Sequence, residues 1–225
     1  MRTALKTATI TLAAALIASA SAFGAVRVKD IARVAGVREN QLFGYGLVVG
    51  LAGTGDGVRM TKQMMANMFE RFGLNVAVGD INADNVAAVM VTATLPAFAK
   101  PGSTIDVVVS SVGDADNLQG GTLVQTPLRG ADGRVYAVAQ GPISIGGWQQ
   151  QGGGGGRKTK GHPTVGRIAG GAIVERDVPT ELLAPGDKIF LTLNSPDFTT
   201  ASNTAGAVNM RFGAGTAKAV DSSTI

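Results

Sequence analysis

Residues 85–112 read NVAAVMVTATLPAFAKPGSTIDVVVSSV. Two apolar, β-branched runs, 85–95 and 104–112, flank a seven-residue connection, 96–102, that carries two prolines and a glycine. β-branched residues suit a pleated, half-buried surface, and Pro and Gly mark turns, so the stretch predicts two strands joined by a longer hairpin loop. The same signals recur downstream. Residues 122–128 and 134–145 flank Gly130-Ala131-Asp132-Gly133, which has hairpin-turn chemistry. Residues 168–178 and 188–193 also read as strands, and upstream 42–51 (LFGYGLVVGL) reads as a buried one.

Helical period interrupts the strands twice. After the turn at 53–57, residues 61–72 place Met64, Met65, Met68, Phe69 and Phe72 on one face, with Thr61 as N-cap and Gly73 as the stop. From Leu74 the period returns to two. Residues 197–212 begin with a capping Asp197 and align Phe198, Ala201, Ala205, Val208 and Phe212, although Gly206 costs about 1 kcal/mol of helix propensity relative to Ala. Both helices end in Arg-Phe-Gly, at 71–73 and 211–213, read as two uses of one capping device. Mostly strands with two amphipathic helices predict an α+β fold, mainly antiparallel sheet. Residues 146–161 (GGWQQQGGGGGRKTKG) have too little apolar content to fold alone and read as a flexible Gly-rich loop or linker, 146–164. The expected division is 23–145, that loop, and a second α+β part over 165–225, in which 217–225 looks like a strand cut in mid-course.

The N-terminus carries Arg2 and Lys6, then an uncharged apolar run over 7–20 (TATITLAAALIASA) and small residues at A-x-A spacing. This is the layout of a secretory signal peptide, 1–22, cleaved after Ala22 or alternatively after Ala25. The run is short for a transmembrane helix, which needs about 20 apolar residues. No later stretch reaches that length, so no integral membrane segment is expected in the exported chain. Removing 1–22 lowers the net charge from +4 to +2, with 18 basic residues left against 16 acidic ones. No Lys/Arg field for nucleic acid remains.

Composition narrows the chemistry. The chain has 225 residues, 45% hydrophobic and 16% charged, enough for a real core and too apolar for disorder. Its 32 glycines follow no collagen period. With no Cys and one His, disulfides, thiol catalysis and multi-histidine metal sites are excluded within this stretch of sequence. The turn from Gly50 to Gly57 lies between strand and helix, where a phosphate loop sits, but Asp56 stands at the Lys position and Gly57 at the Ser/Thr position. His162, beside Pro163 in the Gly-rich stretch, is poorly placed as a catalytic base. Asp114 with Asp80 or Asp84 is the best acid pair for glycan hydrolysis, yet each lies near turn residues where Asp serves locally. Arg157, Lys158, Lys160 and Arg167 form the one basic cluster, a candidate contact with an acidic polymer or partner. No cofactor and no metal are expected.

A set of longer strings carries a resemblance. Val28-Lys29-Asp30-Ile31-Ala32, Gly36-Val37-Arg38-Glu39-Asn40-Gln41-Leu42, Gly44-Tyr45-Gly46-Leu47-Val48-Val49-Gly50-Leu51 and Gly53-Thr54-Gly55-Asp56 are the first four. Residues 85–93, Ile105 to Ser111, Gly120-Gly121-Thr122-Leu123, Tyr136 to Gly141 and Pro196 to Ala201 continue them. Over essentially the whole exported chain this resembles the flagellar P-ring proteins of Gram-negative bacteria. The resemblance implies a non-enzymatic periplasmic subunit. Many copies would close into a ring around the distal rod, in the peptidoglycan layer, forming with the L-ring a bushing for rotation. It also implies a usual length beyond Ile225, with the family's cysteines in the part not represented. Alternatives are a peptidoglycan-binding module using the basic cluster, or a weak peptidoglycan hydrolase. Edge strands offering unpaired backbone groups would let copies join.

Overall fold

The two runs of 85–112 pair as expected. β3 (Val86–Leu95) lies antiparallel to β4 (Thr104–Ser111), with Val91 opposite Val109 and Ala93 opposite Val107. The computed structural model of the chain describes residues 26–151, 157–179 and 182–225, with backbone alone for 147–151 and 157–162. The expected signal peptide at 1–22 and both expected cleavage points lie outside the described residues.

Residues Arg38–Thr180 form one compact unit. In it, β2 (Asn40–Val49) pairs with β3 from Asn40 opposite Leu95 to Val49 opposite Val86. β5 (Thr122–Arg129) joins the other side of β2, β6 (Val135–Pro142) joins β5, and β8 (Arg157–Val174) joins β6. β8 also pairs with β4, which closes the sheet: β2-β3-β4-β8-β6-β5 is a six-stranded antiparallel barrel. β7 (Ser144–Gln151) adds to β8 outside this circuit.

Strand parity fills the barrel. Val89, Val91, Val107, Val109, Leu123, Leu128, Ala137 and Ala172 all point inward and are buried. A Val or Leu buried this way gains roughly 1.5–3 kcal/mol over an exposed one. Gly44 and Gly46 belong to the same inward set of β2. A Cβ on Gly44 would strike the Pro127 carbonyl, and one on Gly46 the Thr126 hydroxyl, so these glycines let β2 and β5 approach. The β2–β5 register slips between Phe43 and Val48 in the same stretch.

α2 (Arg59–Arg71) covers one outer patch of the wall. Met65 is buried there with Leu47, Ile81, Ala83, Val86 and Ala88, and Met64, Met68 and Phe69 are half-buried against them. Two expectations change. The N-cap is Val58, and Thr61 is buried inside the first turn. Phe72 is 75% exposed, because the helix ends at Arg71 and Phe72 falls in the cap, beyond the patch. Gly73 does stop the helix, at φ 79°. Residues 74–85 carry one 3-10 turn, Val78–Asp80, and no strand.

The expected loop 146–164 is largely strand. β7 and β8 run antiparallel as a hairpin, with Gly147 opposite Gly161 and Gln151 opposite Arg157. Regular backbone pairing needs no apolar side chains along the arms, which is why composition misled here. Residues 152–156, the remainder of that expectation, lie outside the described residues. The expected boundaries at 145 and 165 also fall within one unit, because β8 supplies the wall that closes the barrel.

Residues 26–37 with 182–225 belong to a second unit. It holds α1 (Val28–Ile31), β1 (Ala32–Val34), β9 (Leu191–Leu193) and α3 (Phe198–Phe212), with Ala32 opposite Leu193. Its buried apolar residues are Ala32, Leu193, Ala201, Ala205 and Ile225. Asp197 caps α3 as expected, its carboxylate accepting the Thr200 N–H at 2.6 Å. The expected α3 stripe is buried in the middle, at Ala201 and Ala205, but Phe198 and Phe212 are 73% and 75% exposed, one at each end of a helix longer than the small core beneath it. The expected strand over 217–225 reduces to a bridge from Thr224 to Thr192 and mutual backbone hydrogen bonds between Leu191 and Ile225.

Four aspartates, Asp106, Asp132, Asp197 and Asp221, are held below the ordinary value of 3.8, each chiefly by hydrogen bonds it accepts from nearby N–H or O–H groups. A folded-state value below the unfolded one stabilises the fold above the ordinary carboxylate range, and that contribution is lost as pH falls through the folded value. The urea midpoint should therefore hold between neutral pH and pH of about 5, then drop at lower pH. A midpoint that rose on acidification would contradict the assigned bonds.

Candidate functional site

The lower outer wall of the barrel is uncovered. Along β2 the outward residues Gln41, Phe43 and Tyr45 are exposed, before Leu47 passes under α2. Cross-strand register carries this face sideways. Phe43 lies opposite Thr92, Thr92 opposite Val108, and Val108 opposite Arg167. One step down, Gln41 lies opposite Thr94, and the Thr94 hydroxyl donates to Gln41 Oε1 at 3.3 Å. Glu39, Gln41, Thr92, Thr94, Thr104, Asp106, Val108 and Arg167 line a groove of about 690 Å3 on this face.

Asp106 organises the groove floor. Between Ile105 and Val107 the β4–β8 register slips, leaving extra β8 residues between Ile168 and Ala172. Gly170, at φ 58°, turns its N–H onto Asp106 Oδ1 at 2.6 Å. The Arg167 guanidinium donates to Asp106 Oδ2. The Gly170 N–H and then Arg167 hold this carboxyl below the usual carboxylate range.

The expected basic contact is thus divided. Arg167 lies in a barrel strand and is paired with Asp106, not on a loop. Arg157, Lys158 and Lys160 fall on the hairpin arm of β8, opposite Gln151, Gln150 and Trp148, and their side chains lie outside the described residues.

The turn from Gly50 to Gly57 has no free amides for a phosphate at the key positions. Gly53 N–H donates to Asn85 Oδ1, Gly55 N–H to the Asp84 carbonyl, Asp56 N–H to the Val86 carbonyl and Gly57 N–H to Asp114 Oδ1. Asp56 is fully buried, with Oδ1 accepting the Val58 N–H at 3.0 Å, and its carboxylate occupies the space a Cβ on Gly113 would need. The candidate acids also serve turns: Asp114 ties down Gly57, and Asp84 Oδ2 accepts from the Asn82 amide at 2.9 Å. Among the described residues no three His, Asp or Glu side chains are grouped to hold a metal ion, and no helix is long and apolar enough to cross a membrane.

Sequence reading missed Glu39, Gln41, Thr92, Thr94 and Asp106. Alternation alone marks them as outward, but only the register of four strands makes them neighbours.

The family model for the flagellar P-ring protein matches residues 27–225. Among curated relatives, the flagellar P-ring protein of Syntrophotalea carbinolica is 55% identical over 212 residues, covering 93% of this chain and 57% of the relative. That of Bordetella avium is 53% identical over 218 residues, 94% of this chain and 57% of the relative. That of Aquifex aeolicus is 53% identical over 205 residues, 90% of this chain and 56% of the relative. The chain therefore spans less than two thirds of the length of the relatives it matches. With a match reaching from the first described residues to Ile225, the chain belongs to the flagellar P-ring protein family.

Proposed function

We propose that the chain is a structural, non-enzymatic subunit of the periplasmic flagellar P-ring. Copies assemble around the distal rod within the peptidoglycan layer and, with the L-ring, support its rotation. The observation that carries this reading is the family match along 27–225 at more than half identity to proteins of that name. The architecture is in keeping with it. A closed barrel with an interior of Val, Leu and Ala has no sheet edge around its circuit and resists deformation, as a bearing wall must.

Closure also changes how copies would join. Among the described residues the longest edges left outside the barrel circuit are those of the hairpin made by β7 and the first part of β8, so joining by strand addition falls to that hairpin. A head-to-tail contact that closes gives a ring. Attachment to peptidoglycan through Arg157, Lys158, Lys160 and Arg167 is compatible with this role. An attachment of this kind weakens at high salt.

The test is genetic. Cells without the gene should be non-motile and yield basal bodies lacking the P-ring, and re-expression should restore both. Full motility without the gene would refute the proposal.

A further inference from the structure

We propose that the groove on the outer barrel wall, around Gln41, Thr94 and Asp106, binds an uncharged saccharide strand. Its lining sets the ligand class. Glu39 and Asp106 against Arg167 give a net charge of about −1, which disfavours polyanions such as nucleic acids. The hydrogen-bonding groups are of both kinds: carboxylate oxygens, hydroxyls, a guanidinium and an amide. The Thr94 hydroxyl engages Gln41 Oε1, which orients the amide and leaves its N–H pair for a ligand. Gly170 and Arg167 fix the Asp106 carboxylate from one side, leaving acceptor capacity on both oxygens.

An aromatic flank completes the set. Phe43 is 42% exposed and stands next to Gln41 on the outward side of β2. Same-side residues on a strand lie about 7 Å apart. A pyranose ring offers hydroxyls around its rim and a C–H face, so it needs planar polar partners beside an exposed ring. Groove and flank supply both on a wall held rigid by closure. The site stands on this geometry. Its source of sugar, the glycan strands of a cell wall, rests on the periplasmic reading above.

The purified protein, labelled with 15N, is titrated with chitotetraose and, separately, maltotetraose. The expected result is shifted amides at Gln41, Thr94 and Asp106 with chitotetraose at millimolar concentration. Gln41→Ala and Phe43→Ala should each weaken binding by about tenfold, the loss of one good contact, with melting temperature unchanged. Absence of shifts with both sugars would overturn the groove. Unchanged affinity in both variants would also overturn it, and so would variants that altered self-association instead, since the face would then join copies of the chain. Preference for maltotetraose would overturn the cell-wall source. None of these results bears on motility, so the ring proposal is tested separately.

Discussion

Met65→Asp should abolish the cooperative melting of the barrel unit. Met65 is 7% exposed and projects from the buried face of α2 among Leu47, Ile81, Ala83, Val86 and Ala88, with no basic side chain among these neighbours. A carboxylate placed there loses its water and finds no partner, which costs several kcal/mol beyond the lost packing of the Met side chain. Single changes above about 4–5 kcal/mol are rare and arise by this mechanism. Domains hold only about 5–15 kcal/mol in all, so most of the reserve is lost. The rest of the face grades the effect. Met68→Asp and Phe69→Asp, at half-buried positions, should lower the melting temperature strongly yet less. Phe72→Asp, at the exposed cap, should leave it nearly unchanged. Circular dichroism melts of the four variants read this order directly. Equal melts for Met65→Asp and Phe72→Asp would mean that α2 does not pack on the wall through this face.

Gly44→Val should be the most damaging change within the barrel wall. Its Cβ would meet the backbone carbonyl of Pro127 and the Leu128 side chain, and the carbonyl belongs to the neighbouring strand. Relief requires β2 and β5 to separate, which breaks pairing on both sides of the slip between Phe43 and Val48. Overpacking of a core costs typically 1–3 kcal/mol and more where nothing can yield, so a loss of at least about 3 kcal/mol is expected. Gly57→Ala is the matched control: nothing lies within 4 Å of its added Cβ, and its stability should stay within about 0.5 kcal/mol of the parent. Urea titrations measure both. A Gly44→Val protein as stable as the control would place β2 and β5 further apart than described.

Much of this fold is legible in local pattern, because four of its strand pairs, β2–β3, β3–β4, β5–β6 and β7–β8, are also neighbours in sequence. β3 and β4 follow from two β-branched runs around a Pro/Gly loop, and β5 and β6 from the turn at 130–133, where Gly130 and Gly133 are hydrogen-bonded across the tip. Asp197 announces α3 through its own capping chemistry. What alternation does not encode is closure. The pairing of β4 with β8 joins residues some sixty positions apart, such as Val108 and Arg167, and no short-range signal marks it. The same limit applies to the groove, whose floor depends on Gly170 reaching Asp106 across that seam. Glycine was ambiguous in a further way. In 146–161 it reads as a breaker, whereas at Gly44 and Gly46 it marks close strand approach, and only the pairing partner tells the two uses apart.

The absence of cysteine allows a direct location experiment. Ala131 is exposed in the turn between β5 and β6, so Ala131→Cys places the one thiol of residues 1–225 at the surface without disturbing the barrel. Basal bodies isolated from cells carrying this variant are labelled with maleimide-linked gold and imaged by electron microscopy. Gold is expected at one axial level, that of the ring in the peptidoglycan layer, in several copies around the rod. Gold absent from basal bodies that retain an intact P-ring would contradict it.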